Sequence, residues 1–452
     1  MLFRKIDVRS PESVSTGLDF FSYPCTSVSF SKSQYKEILP MNPANQSPLH
    51  FRISGTSGFP DFNHMYLKTE IQVKKWTAGA ADWENIVLPV AAGPGGIPAA
   101  VAGDDISMIQ APGQSFIRNL KIDIGGREVY TANNLQCWKS HFDTELAYSA
   151  DAKITHLALM GYYPETTQND AGSLAFAGRR HAIGSGKQAE YIAKINADPL
   201  NIDKYFVNNT DVDIHIIPND ANFMILAPGL PANTRLKYEI KSCKLYVMVH
   251  DLVDGLALSM NNQLEKDPVK YAIRRSELKT IYLPADQTVL ETVLFSEQIP
   301  RRIYIGMLAR ADFDGNPTSS PFNFQPFDIE NIRIDWNGLS NPSVPYELDF
   351  PNDHYGRAYY DMQMACGNVF TPMSNGITMQ MFKDGWTIFV FNLTSNLEDE
   401  KCFELIRQGT TSLHAKFRTQ IPAGGVTMLV YAEFDSLMMI DKNRTVTTDL
   451  TV

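Results

Sequence analysis

Residues 117–126 read IRNLKIDIGG, and 212 positions later residues 329–338 read IENIRIDWNG. Ile117, Asn119, Ile122, Asp123 and Gly126 recur as Ile329, Asn331, Ile334, Asp335 and Gly338, and Leu120-Lys121 is answered by Ile332-Arg333. Apolar and polar residues alternate in each copy, the period of a strand with one buried face, and each copy ends on a glycine turn. A repeat at this spacing has the size of a domain, whereas solenoid units recur roughly every 20–50 residues.

The flanks repeat as well. The first copy is followed by REVYTANN (127–134) and a predicted helix over 135–160. The second is followed by a proline-rich stretch and a predicted helix over 353–367, with Asp353 as N-cap and Gly367 as stop. Each half then returns to strands and closes on a strongly β-forming run, LKYEIKSCKLYVMVHDL (236–252) and GVTMLVYAEFDSLMMID (425–441). This order predicts two β domains of one design in tandem.

A chain of 452 residues exceeds one ordinary core and suits two domains of roughly 200 residues each. Its apolar share of 44% and aromatic share of 11% can fill two β cores. The net charge of −10 argues against a surface built to grip phosphate. The basic clusters are only pairs, Arg179-Arg180, Arg274-Arg275 and Arg301-Arg302, expected at solvated strand or loop positions. No run approaches the roughly 18 apolar residues of a membrane span, and MLFRKIDVRSPES lacks the apolar core of a signal peptide. Cys25, Cys137, Cys243, Cys366 and Cys402 are odd in number, widely spaced and without a CxxC pair. They read as small buried residues in a reducing compartment, so the chain is expected to fold and work inside a cell.

Residues 1–46 lack periodicity and read as an N-terminal arm with aromatic spots at Phe20, Phe21, Tyr23, Phe30 and Tyr35. The first domain, 47–260, opens with strands at 49–55 and 65–76. Two segments rich in small residues, 77–114 and 168–188, read as loops, exposed or between subunits. Strands at 203–218 and 236–252 close this domain, and 261–269 is the linker. The second domain, 270–446, has strands expected within 270–284, 290–316, 376–394 and 411–435, and 447–452 is a tail. Each half then holds about eight strands and one inserted helix, which is the make-up of a jelly roll. The fold class is therefore all-β: two tandem eight-stranded jelly rolls, each with a short inserted helix and long loops. An immunoglobulin-like pair is the competing sandwich, but such domains are shorter and have no helix at mid-domain.

No catalytic, cofactor-binding or metal-binding constellation is found in the sequence. GxSxG, HExxH, P-loop and GxGxxG motifs are missing, and the nine histidines are scattered. His141, Asp143 and Glu145 fall on a predicted helix, where residues two apart point to different faces, so a partly exposed helix is expected there. ADFDGN (311–316) has the Asp312, Asp314 and Gly315 of a calcium loop, but position twelve is Asn323 and the flanks read as strands; a turn is expected. Asp123 and Asp335 precede glycine turns and read as turn caps. PFNFQPF (321–327) lacks basic neighbours and reads as core or interface instead of a stacking platform.

Several segments resemble a known family. EKDPVKYAIRRSELKTIYLP (265–284), the stretch 298–338 that ends in IENIRIDWNG, GWTIFVFNLT (385–394), LIRQGTTSLHAKF (405–417) and VYAEFDSLMMIDKNRTV (430–446) are similar to the second half of the major capsid protein (hexon) of Maverick/Polinton elements and adintoviruses. FIRNLKIDIGGREVYTANN (116–134) resembles the first half more loosely. The resemblance implies a double jelly-roll viral structural protein, not an enzyme and without a cofactor. Three copies would form a pseudo-hexagonal capsomer, and capsomers would tile an icosahedral shell around double-stranded DNA. Implied partners are neighbouring capsomers and penton and minor (cement) capsid proteins. No specific nucleic-acid binding is expected. The implied location is the virion capsid, assembled in the host cytoplasm or nucleus. Arm 1–46 lies outside the resemblance and is expected to run beneath the domains or to a neighbouring capsomer. From the residues alone, a lectin-like or host-recognition β-sandwich is the alternative, and a β-sandwich hydrolase with a carboxylate cleft is a third.

Overall fold

The protein is described by a computed structural model covering residues 5–89, 103–231, 233–394, 403 and 405–448. The first domain is built from β1 (Phe30–Ile38), β2 (Leu49–Ile53), β3 (Phe59–Trp76), β4 (Ile117–Ile124), β5 (Arg127–Thr131), β6 (Ala189–Ala193), β7 (Val212–Pro218) and β8 (Arg235–Leu252). They form two facing sheets. One runs β1-β8-β3 with β6 on the far side of β3, and the other runs β2-β7-β4-β5.

The second domain is built from β9 (Val269–Leu283), β10 (Val289–Phe295), β11 (Arg302–Ala309), β12 (Ile329–Trp336), β13 (Leu339–Asn341), β14 (Ile388–Asn392), β15 (Thr411–Phe417) and β16 (Val426–Ile440). Its sheets run β9-β16-β11-β14 and β10-β15-β12-β13, with β17 (Val446–Thr448) added beside β16. Each order is the first domain's order moved eight strands along the chain. The molecule is a double jelly roll, with short helices between strands.

The repeated phrase holds the same place in both barrels. β4 lies between β7 and β5, and β12 lies between β15 and β13. Ile122 faces Ile214 and Ile334 faces Leu413, all four buried. Both strands slip register at the same point, between Ile117 and Asn119 and between Ile329 and Asn331. Each ends in a two-residue hairpin turn with positive φ at both central positions: +58° and +78° at Gly125-Gly126, +46° and +79° at Asn337-Gly338. That turn matches the twist of the flanking strands and favours Gly and Asn.

Several segments differ from expectation. Part of the supposed arm is β1, paired along its length with β8, while residues 5–28 lie exposed except for half-buried Ser10. The helix over 135–160 is three pieces: α1 (Gln136–Ala147), Ala150–Ile154 and a 3-10 turn at His156–Met160. Ser149 ends the first by capping the second, its Oγ accepting from the Ala152 amide. The 168–188 loop contains α2 (Leu174–Ile183), whose Ser173 Oγ accepts from Phe176 N–H at 3.1 Å. Of 77–114, residues 90–102 lie outside the described residues, and Ile106, Met108 and Ile109 are buried core. In 203–218 only β7 is extended. Residues 261–264 of the linker finish α3 (Asp254–Leu264).

In the second domain the helix is α4 (Gly356–Ala365), preceded by Tyr355 instead of Asp353, which has a φ of +60° and pairs with Lys383. Gly367, at φ +76°, does stop it, donating its N–H to the Met364 carbonyl. Within 376–394, Met379–Lys383 is helical because Thr378 caps it, leaving only β14 extended.

Candidate functional site: the seam between the barrels

One hydrophobic core runs through both domains, and α1 is its crossing point. Ten of its twelve residues are buried, so the helix is wrapped by protein on nearly every side. The partly exposed helix expected for His141, Asp143 and Glu145 is therefore corrected. Trp138 stacks on Phe313 at 4.6 Å and donates its indole N–H to the Pro321 carbonyl. The His141 ring lies flat on Phe322, 4.2 Å between centres, and Phe142 stacks on Phe324. PFNFQPF is thus seam, as expected of core or interface.

Charges buried beside these rings are paired. Lys139 Nζ lies 2.9 Å from Asp143 and 3.3 Å from Asp198, and Asp198 accepts from the Ser276 amide and hydroxyl on β9. Burial pulls the Lys139 ammonium down, but Asp143 and Asp198 outweigh it and hold the pKa above the ordinary lysine value. Lys153 reaches Glu145 at 2.8 Å and the Asn375 carbonyl across the seam. Burial opposes ionisation of Glu145, yet Lys153 keeps its carboxyl below the usual range. Removing one partner of such a pair leaves an uncompensated buried charge, a loss of about 3–5 kcal/mol. The seam is therefore specific as well as apolar.

The other sequence candidates sit elsewhere. Asp312 and Asp314 fall on a short helix, Arg310–Asp314, stopped by Gly315; Asp314 pairs with Arg310, so they form neither a strand turn nor an ion loop. Arg179 and Arg301 are buried, contrary to a solvated reading. Arg179 bonds Glu165, the Met108 carbonyl and Gln110, and Arg301 lies 3.6 Å from Asp435. Arg275 covers Phe434 and pairs with Glu277. Cys137 and Cys243 are buried and Cys366 half-buried, but Cys25 is exposed, and Cys402 lies outside the described residues.

Among the described residues neither Asp123 nor Asp335 accepts from the backbone of its turn, and Asp335 instead accepts from the Ser340 hydroxyl across the hairpin. Each stands on the outer face of its sheet beside a base and a histidine. Asp123 meets Lys121 and His215 at 3.4 and 3.6 Å; Asp335 meets Arg333 and His414 at 3.2 and 3.0 Å. The histidines face equivalent residues, Lys121↔His215 and Arg333↔His414. This duplicated triplet was missed in sequence, although VDIHI and TSLHA place their histidines at alternate strand positions. Among the described residues, no group of three or more His, Cys, Asp or Glu side chains could hold a metal ion, and no helix is long and apolar enough to cross a membrane.

Comparison with known proteins places this geometry. No family profile matches the chain. It is 28% identical over 355 residues to an uncharacterized protein of Caenorhabditis elegans, F54H12.2, covering 76% of this chain and 83% of that protein. In structure it is similar to a chain of the Sputnik virophage (TM-score 0.62, 11% identity, 100% of this chain and 95% of that one). It is similar to the mavirus major capsid protein (0.59, 14%, 100% and 97%) and to the Faustovirus major capsid protein (0.54, 9%, 94% and 92%). The similarity extends over both barrels, and the chain shares with these viral proteins the double jelly-roll fold.

Proposed function

We propose that this chain is the major capsid protein of a Maverick/Polinton-like double-stranded DNA virus or element, a structural unit of an icosahedral shell. The observation that carries the reading is the pair of barrels with one strand order, locked by a buried seam and similar along their whole length to viral capsid proteins. Two equivalent barrels per chain give six around a trimer, the outline of a pseudo-hexagonal capsomer that can tile a shell. Interfaces between such subunits would be large and apolar, about 2,000 Å² or more. The first barrel would include β1 in addition to 47–260, and the second would span 270–446. With a net charge of −10, this subunit would leave genome condensation to other proteins. Penton and minor capsid proteins would complete the shell, assembled in the host cell.

Sedimentation of the purified full-length protein tests the reading. A stable species of three times 50.7 kDa is expected. A monomer at all concentrations, above all one retained by sugar resins as a lectin would be, contradicts it.

A further inference from the structure

The duplication sets two equivalent surfaces side by side. In the second domain Tyr304 on β11 lies directly opposite Tyr431 on β16, with rings stacked at 5.0 Å. Both are buried, 6% and 4% exposed. The cover over Tyr431 is α1 of the first domain. Phe142 stacks on Tyr431 at 6.0 Å, and the Tyr431 hydroxyl donates to Asp143 at 3.1 Å.

In the first domain β3 and β8 hold the places of β11 and β16, and Tyr66 lies directly opposite Tyr246, stacked at 4.9 Å. This pair is half-exposed, and Tyr35 of β1, 47% exposed, leans on Tyr66 at 5.5 Å. Charged groups rim the rings: Glu37 accepts from the Tyr246 hydroxyl and from Lys244, and Lys68 pairs with Glu190. Rigid aromatic rings within a polar rim are the composition of a protein–protein contact.

We propose that the Tyr35–Tyr66–Tyr246 face is covered by the second domain of another copy of this chain, as the Tyr304–Tyr431 face is covered by the first domain of its own. The inference rests on the trimer reading above and adds which surface makes the contact. Such a contact is head-to-tail, and it closes when the seam within the chain and the seam between chains turn the ring equally. With two domains per chain, a six-domain ring holds three copies.

Sedimentation and footprinting on full-length protein test it. Tyr66→Arg and Tyr35→Arg should shift the mass from three copies to one with circular dichroism unchanged, and the melting temperature should fall only to the value of the folded single chain, because association no longer adds to it. A folded variant that remains trimeric overturns the inference while leaving the trimer reading intact. If the variants fold poorly, hydroxyl-radical footprinting of the unmutated trimer decides. Tyr35, Tyr66 and Tyr246 should label as weakly as Tyr304 and Tyr431. Strong labelling at these three in a verified trimer overturns the inference. An unmutated chain that is monomeric throughout overturns the trimer reading and this inference with it.

Discussion

At position 141 a histidine ring is pressed flat against Phe322, and among the described residues its Nε2 has no hydrogen-bond partner. Burial pushes its pKa from 6.5 down to about 4, with Glu145 opposing and Lys153 assisting. The sign follows from linkage. The unfolded chain takes up the proton first as pH falls, so stability is full above the ordinary histidine range and drains away between about pH 6.5 and pH 4. The loss from this one group approaches about 3 kcal/mol. His141→Phe keeps the stack and removes the titration. Denaturant midpoints at pH 7 and pH 4.5 should therefore differ less in the variant than in the unmutated protein. An equal pH dependence in both would show that His141 is not buried neutral. The sequence alone shows His141, Asp143 and Glu145 on one helix but not their surroundings. Asp143 and Glu145 have local partners in Lys139 and Lys153, but Phe322 and Tyr431 lie far off in the chain, and only the fold brings them onto this helix.

α1 binds the two barrels because both its faces are occupied. Phe142 touches Phe324 and Tyr431 of the second domain from a helix that belongs to the first. Phe142→Ala should cost about 3–5 kcal/mol, the transfer of a buried ring plus the cavity left behind. Because the cavity opens on the seam, it should also split unfolding into two transitions. Differential scanning calorimetry reads both effects; a single transition with an unchanged midpoint would mean the seam does not couple the barrels. The two inserted helices were legible from their place after each repeated phrase, and the second also from Gly367 as its stop. α2 was not, because its LAFAGRR core reads as small-residue loop, although Ser173 stood as a usable N-cap signal. Met379–Lys383 was mistaken for a strand because a short apolar run carries no clear period. β1 was missed because it is an edge strand with nearly all its residues exposed, so no apolar alternation marks it.

At the scale of the molecule, the two decapeptides at 117–126 and 329–338 report the duplication correctly, down to the shared bulge and the shared primed turn. Such short-range signals survive in sequence because each depends only on alternation and on residues that tolerate positive φ. The seam and the tyrosine faces are products of long-range packing and leave no local pattern. On the proposed reading, this duplicated architecture would contribute two of six barrels to a ring. Electron microscopy of the purified full-length protein tests this most directly. Class averages should show a pseudo-hexagonal particle of six barrels with threefold symmetry. Isolated two-barrel particles at every concentration would contradict it.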